Sequence, residues 1–556
     1  MGTTKWKFIK GFIGENRRLT GIAIVSGFFY NIFTVLVPIA MGRFYEFNFG
    51  FHSVRLKLVF SRVPFIKTSS FQVFLIVFVG IILIRFIFEY TNRYVIGVLG
   101  ERFSKSLRER LFAHQLRVVT PIYEEKGIGR YLLRFSGDLK SVQNYLTKGV
   151  FRFTQDLILI VILLIVISYY SAIMALIILA FIIFSFVLIF FMNNVLYHIS
   201  VDRRNRRSGL LSFVNTALRS ILSIKVFNKN APFEYRYNKR SLKLLEGGIK
   251  YHRVVALINA SVPFITYLMV GIAMFYIYSI KNSGLGFDKS TFLIVILLII
   301  SFLSIFRRIL RVNIVWKLGN ISFEKLIAIF SLKTEGTSYK RKVKIHDKDI
   351  IFKNVEYNTD LKTKEQPINI KINAKAISFI KTSSGSGQSL VFIKLLLKIY
   401  RPSKGVITFG KYDSKKLSER AIRKQITVVS SKIPLNGNTV FSAISYSRNS
   451  ERREQSEKIL NKLQQFVPKS QHLNLDSKIG DQSNHLNDSQ KQLLLWCRTL
   501  LTNKPIWVLH FPFKHLNENL KNYLLQIVLE KESEKTIIIL DEVIPEGLKI
   551  ENYLEL

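Results

Sequence analysis

The sequence predicts two unlike parts: an α-helical membrane domain of six transmembrane helices with long cytoplasmic extensions, then a C-terminal α/β domain of the phosphate-loop type. Three observations carry this reading. Apolar runs long enough to cross a bilayer fill the first part of the chain. A charged stretch, Lys333–Lys353, ends them. Beyond it, short β-rich runs (KAISFI, QITVVS, PIWVLH, TIIIL) alternate with helical ones, the pattern of a parallel sheet covered by helices. The boundary is expected near residue 335, giving a membrane domain at 1–335 and an α/β domain at 336–556.

A membrane helix needs about 20 mostly apolar residues. Thr20–Met41 and Phe71–Glu89 meet this requirement. Leu157–Met192 is too long for one helix, and SYYS at Ser168–Ser171 divides it into two. Val254–Ile280 and the short Phe292–Phe306 complete six spans, the last with Arg307, Arg308 and Arg311 free to snorkel at its end. The long connections between spans two and three and between spans four and five are rich in Lys and Arg, as in DRRNRR at Asp202–Arg207. The positive-inside rule puts both loops, and with six spans both termini, in the cytoplasm. The first outer segment, Gly42–Ser70, dissents with five basic residues against Glu46 alone. Within the second span Arg85 and Glu89 share a helix face at i and i+4, and a structural ion pair is the expected reading.

The formal net charge is +44. Residues 1–340 hold 45 Lys and Arg against 15 Asp and Glu, and residues 341–556 hold 36 against 22. The excess therefore lies with the apolar runs, where it serves topology and contacts to membrane lipids; no nucleic-acid partner is expected. Cys497 stands alone, so no internal disulfide and no cysteine metal site can form. The opening MGTTKWKFIKGF has no cleavable signal pattern, and Trp6 fails the myristoylation template.

KTSSGSGQSL at Lys381–Leu390 follows the predicted strand ISFI and opens a predicted helix, the context of a phosphate cradle. In the template G-x-x-x-x-G-K-[ST], backbone N–H groups hold phosphates, the lysine reaches the β and γ oxygens, and the hydroxyl holds Mg²⁺. Gly385, Ser386, Gly387, Ser389 and Leu390 suit such a loop. Thr382 stands at the first glycine and Gln388 at the lysine.

Taken with LRERLFAHQLRVVTPIYEEKGIGRYLLRFSGDLKSVQNYL (Leu107–Leu146), LRSILSIKVFNKNAPFEYRY (Leu218–Tyr237) and LNDSQKQLLLWCRTLLTNKPIWVLH (Leu486–His510), the chain resembles an ABC exporter half-transporter over roughly residues 15–545. The resemblance implies a nucleotide-binding domain of the ABC ATPase type and two short coupling helices, near Pro121–Gly127 and Val226–Tyr235. It also implies that the family's ATP-contacting positions are substituted here. Thr359 stands where the adenine-stacking aromatic is expected, with Tyr357 nearby. Ser431 stands at the glutamine that contacts Mg²⁺. The L-S-G-G-Q signature reads Leu486-Asn487-Asp488-Ser489-Gln490, with both glycines absent and a carboxylate set toward a phosphate. His510 and Phe511 replace the Asp-Glu pair that holds the magnesium water shell and polarises water; Phe511 has no proton chemistry. The switch histidine is replaced by Asp541 or Glu542. The form of IIILDE imitates a magnesium strand, but His510 lies 20 residues after Gln490, about the family's separation, so Asp541 and Glu542 are not expected to be catalytic.

These substitutions imply no catalytic residue, no resident metal, and at most weak binding of ATP and Mg²⁺. The function expected is that of a catalytically silent half of a dimeric exporter, paired with a second half-transporter subunit and set in a prokaryotic inner membrane. The alternative is a non-transporting scaffold or sensor that keeps the fold.

Overall fold

The computed structural model describes residues 2–49, 70–126, 131, 133–135, 137–281, 289–336, 345, 348–357, 367–383, 387–446, 449–480, 484–548, 550 and 552–555. The chain divides into two compact units: Met1–Leu116 with Ile128–Leu332, and Arg117–Gly127 with Lys333–Leu556.

The first unit is helical. It contains α1 (Gly2–Glu15), α2 (Arg17–Phe49), α3 (Phe71–Gln115), α5 (Gly137–Asn144), a π-helix (Tyr145–Arg152), α6 (Phe153–Tyr170), α7 (Ala172–Arg219), α8 (Ile221–Val226), α9 (Asn230–Lys281) and α10 (Lys289–Phe330). Short α4 (Pro121–Lys126) belongs to the second unit. Among the described residues five helices are long and apolar enough to cross a membrane, and α10 adds a shorter apolar stretch, Leu293–Phe302. The side chains of Arg307 and Arg311 and most of Gly42–Ser70 lie outside the described residues. The break within Leu157–Met192 falls at Ser171. Its backbone leaves the helical region (φ −160°, ψ 116°) and its hydroxyl accepts the Met174 N–H, starting α7 as an N-cap.

The apolar faces meet in one core that includes Val35 and Ile39 of α2, Leu163 and Ile167 of α6, and Leu298 and Phe302 of α10. Beyond it the buried carboxylate of Asp138 takes Arg134 (2.5 Å), Arg204 (2.8 Å) and the Ser322 hydroxyl (2.9 Å), which ties α5, α7 and α10 together. Amphipathic α1, which the span pattern does not reveal, buries Ile9 and Phe12 and packs the Phe12 ring, tilted by 55°, against Phe103 at 4.9 Å.

The second unit holds two sheets. β1 (Ile350–Glu356), β2 (Ile368–Ile372), β4 (Lys404–Phe409) and β5 (Tyr412–Asp413) form an antiparallel sheet in the order β2-β1-β4-β5. β3 (Ile377–Lys381), β6 (Ile426–Val429), β7 (Ile506–His510), β8 (Thr536–Asp541) and β9 (Asn552–Glu555) form a parallel sheet in the order β6-β7-β8-β3-β9. Its central strands bury both faces. Trp507, Leu509, Ile537 and Ile539 enter one core, and Ile506, Val508, Ile538 and Leu540 enter the other. This period of two explains why these strands read as continuous apolar runs. Helices α11 (Gln388–Leu396), α12 (Glu419–Arg423), α13 (Val440–Ser445), α14 (Ser450–Gln464), α15 (Asp488–Thr502) and α16 (Glu518–Glu530) complete the unit.

Segment Arg117–Gly127 joins this unit although it lies far upstream. Val118 bridges Thr334, Val119 N–H donates to the Lys333 carbonyl, and Glu335 N–H donates to the Arg117 carbonyl. On α4, Glu124 accepts from Lys394 Nζ (2.8 Å) and from the Tyr400 hydroxyl. The first short helix thus falls where the resemblance implies. The second is displaced: α8 covers Ile221–Val226, and Asn230–Tyr235 is already the first turn of α9. Asn228, with a positive φ (48°), lies in the turn between α8 and α9.

Glu124→Ala removes two charge-assisted contacts at a partly exposed site, worth about 1 kcal/mol together. Amide hydrogen exchange across residues 117–126 of the full chain is expected to speed up about fivefold, with β7 and β8 unchanged.

Candidate functional site

The parallel strands of the second unit end side by side, and ligands of such sheets bind at these carboxyl ends. β3 leads through Thr382 toward α11; Gly385 and Ser386 lie outside the described residues. Gly387 is the N-cap of α11, Gln388 is its first residue, and Ser389 sits buried in its first turn, followed by half-buried Leu390. β7, buried along its whole length, ends at His510.

His510 joins three elements. Its Nε2 lies 3.0 Å from the Ser389 Oγ on α11, and its Nδ1 lies 2.8 Å from the Ser430 Oγ just past β6. Ser430 Oγ also accepts the Lys432 N–H, which leaves its own proton for Nδ1. The simplest assignment therefore puts the imidazole proton on Nε2, donating to Ser389. Burial pushes the His510 pKa down to about 4, and the nearby Lys432 and Lys514 charges add to the effect. A neutral imidazole thus stands between two hydroxyls at neutral pH.

Phe511 follows in the left-handed region (φ 48°), an unfavourable conformation for a bulky side chain. Hydrogen bonds hold it there. Its N–H donates to the Leu540 carbonyl (2.9 Å), and its carbonyl accepts Gln492 Nε2 (3.1 Å). Gln492 and Trp496 also donate to the Pro512 carbonyl. Asp541 ends β8, between β7 and β3. Its backbone carbonyl accepts the Thr382 N–H, and its carboxylate accepts the Glu542 N–H. Burial raises the Asp541 pKa, against the opposing pull of the Glu542 N–H that it accepts.

The Asn487–Gln490 stretch is a helix cap. Asn487 Oδ1 accepts the Gln490 N–H (2.7 Å), and Gln490 Oε1 accepts the Asn487 N–H (3.1 Å), a reciprocal capping box at the start of α15. Gln490 also donates to the Gln471 carbonyl. Asp488 pairs with Lys491, which lowers its pKa, and Ser489 is half-buried.

Of the residues singled out in the sequence, the structure brings together Ser389 and His510. Ser431 is exposed; the serine that reaches His510 is its neighbour Ser430, whose signal was only the doubled serine after β6. Thr359 lies outside the described residues. Tyr357 stacks on Tyr400 (4.3 Å, 9°), so one face of its ring is covered. Sequence reasoning also missed Lys394, Tyr400 and Glu124, since nothing local links residue 124 to residue 400.

The model of the ABC transporter transmembrane region matches residues 20–309, more than half of the chain. The chain belongs to the ABC transporter family. A second family model, ABC transporter, matches residues 366–513. An ATP-dependent lipid A-core flippase of Pasteurella multocida is 24% identical over 86% of this chain and 82% of its own length. The protein of that name from Escherichia coli K12 is 22% identical over 84% and 80%. A solved structure of a bacterial Atm1-family ABC exporter with ATP bound superposes with a TM-score of 0.78 at 17% identity, covering 94% of this chain and 90% of that one. The protein is thus an integral, multi-pass transporter of the ABC exporter type, a class that generally acts as dimers.

His510→Ala leaves the buried Ser389 and Ser430 hydroxyls without their partner, a loss of about 2–4 kcal/mol. Denaturant unfolding of the full chain, followed by amide hydrogen exchange of β7 and α11, is expected to show it. His510→Asn, which can keep one of the two bonds, is expected to fall between.

Proposed function

We propose that this chain is the ATP-silent half of a dimeric ABC exporter whose partner subunit hydrolyses ATP. The observation that carries the reading is the position of His510, with Nε2 3.0 Å from the Ser389 hydroxyl. In the family that hydroxyl holds Mg²⁺ beside a carboxylate. Here the hydroxyl is engaged by a neutral imidazole, and the next residue, Phe511, has no group to position water. Gln388 offers an amide where a lysine would bring a charge to the β and γ oxygens. Asp488 brings a negative charge to the loop that would meet a partner's phosphate. These residues do not fit a magnesium-bound triphosphate.

The bonds of α4 through Glu124 to Lys394 and Tyr400 support an exporter over a scaffold, because a scaffold has no need to keep a coupling helix on its nucleotide-binding fold. The flippase names of the relatives support a lipid as cargo.

Purification of the tagged chain from its native membrane in mild detergent is expected to bring down a second half-transporter with an intact phosphate-loop lysine and magnesium carboxylate. A homodimer with magnesium-dependent ATP hydrolysis would overturn the proposal. In the purified chain Gln388→Lys alone is expected to give no detectable hydrolysis, because His510 still occupies Ser389 and Phe511 still lacks a base; appreciable turnover by this single variant would count against the reading.

A further inference from the structure

We propose that the membrane unit binds a phosphate-class oxyanion on Arg152, in a cavity between α2, α3, the π-helix, α6 and α10. This goes beyond the nucleotide site and does not depend on whether ATP is hydrolysed.

The cavity encloses about 290 Å³, and its lining includes Tyr30, Asn31, Asn92, Arg152, Gln155 and Arg308. Its charges do not balance. Arg308 grips Asp156 with both Nε (3.0 and 3.1 Å) and Nη2 (2.7 Å). Glu89 takes Arg93 at 2.5 Å and Arg85 at 3.7 Å. Both carboxylates are therefore engaged by other guanidinium groups. Arg152 is half-buried, and among the described residues no acceptor lies within hydrogen-bonding distance of it. Its charged neighbours include Arg93 and Arg308, which repel it, as well as the already paired Asp156. A guanidinium stays charged and offers a fork of N–H donors that matches a phosphate. Leaving such a group partly desolvated and unpaired is costly unless an anion completes it.

The walls are fixed. Asn31 Nδ2 donates to the Gln155 carbonyl, and both Asn92 Nδ2 and Gln155 Nε2 donate to the Ala23 carbonyl. Gly27 packs so closely that a Cβ would lie 2.2 Å from the Gln155 amide. Arg152 closes the π-helix Tyr145–Arg152, whose Gly149 carbonyl accepts Trp316 Nε1 at 2.8 Å. π-Turns recur at functional sites. The cavity lies where the apolar run of α3 ends at Glu89 and that of α6 begins after Asp156, the level at which lipid headgroups sit. The oxyanion can come from a lipid headgroup or from free phosphate.

The full chain in nanodiscs of phosphatidylcholine supplies the test. Thermal unfolding is measured with added inorganic phosphate, and again with phosphatidic acid in the bilayer. Native mass spectrometry counts retained phosphatidic acid. A raised midpoint and retained lipid in the wild type, both lost in Arg152→Gln and weakened in Arg152→Lys, support a headgroup site. Stabilisation by phosphate alone, lost in the same variants, supports a small-anion site. If neither ligand raises the wild-type midpoint and no phosphatidic acid is retained, the proposal fails, whatever the variants do. It fails equally if a folded Arg152→Gln binds either ligand as tightly as the wild type; a tenfold or greater loss is expected.

Discussion

The bridge from Ser389 through the His510 imidazole to Ser430 links the first turn of α11 to the ends of β7 and β6. A phosphate loop places backbone donors around an empty space, and a parallel sheet delivers its strand ends to that same space. Something must satisfy the polar groups gathered there. A triphosphate with its metal does so when it is bound; here His510 within the chain takes two of them, the Ser389 and Ser430 hydroxyls. Burial keeps the imidazole neutral, so it needs no counter-charge. The strained backbone of Phe511 becomes tolerable in this setting because Leu540 and Gln492 hold its N–H and carbonyl.

The same self-sufficiency recurs at the start of α15. The first N–H groups of a helix attract anions when they are left open. Here Asn487 and Gln490 close them on each other, and Asp488 finds Lys491. At α15 the helix end is thus closed by the chain's own side chains, while at α11 it is the Ser389 hydroxyl that His510 engages. The link through α4 is different. Glu124 reaches Lys394 and Tyr400, so a segment far upstream in the chain is held within the second unit.

Much of this was legible in the sequence where period and run length speak. The break at Ser171, the all-buried strands ISFI, IWVL and TIIIL, and the short sixth apolar stretch follow from local pattern. His510 was found because order along the chain outweighed the imitation at Asp541 and Glu542. The structure places His510, rather than Asp541, on Ser389. What escaped depends on tertiary placement. Ser430 and Ser431 are chemically identical neighbours, and only strand orientation decides which is buried. The Arg117–Gly127 segment joins a unit that begins some two hundred residues later, which no local signal announces. The second short helix falls at Ile221–Val226, ahead of the left-handed residue Asn228. The π-helix, too, has a long-range partner that no local signal announces: Trp316 donates to the Gly149 carbonyl from a distant helix.

The two units treat positive charge in opposite ways. At the phosphate loop, where family chemistry needs cations, the chain offers an amide at Gln388 and a neutral ring at His510. Among the described residues lining the cavity between the membrane helices, three guanidinium groups stand against two carboxylates, and Arg152 is half-buried beside two of its own kind. A neutral substitution at a nucleotide site is compatible with a stable fold that does no chemistry. An unpaired charge in a partly desolvated wall is not stable by itself and calls for a ligand. The oxyanion proposed above is therefore assigned to the helices, at Arg152.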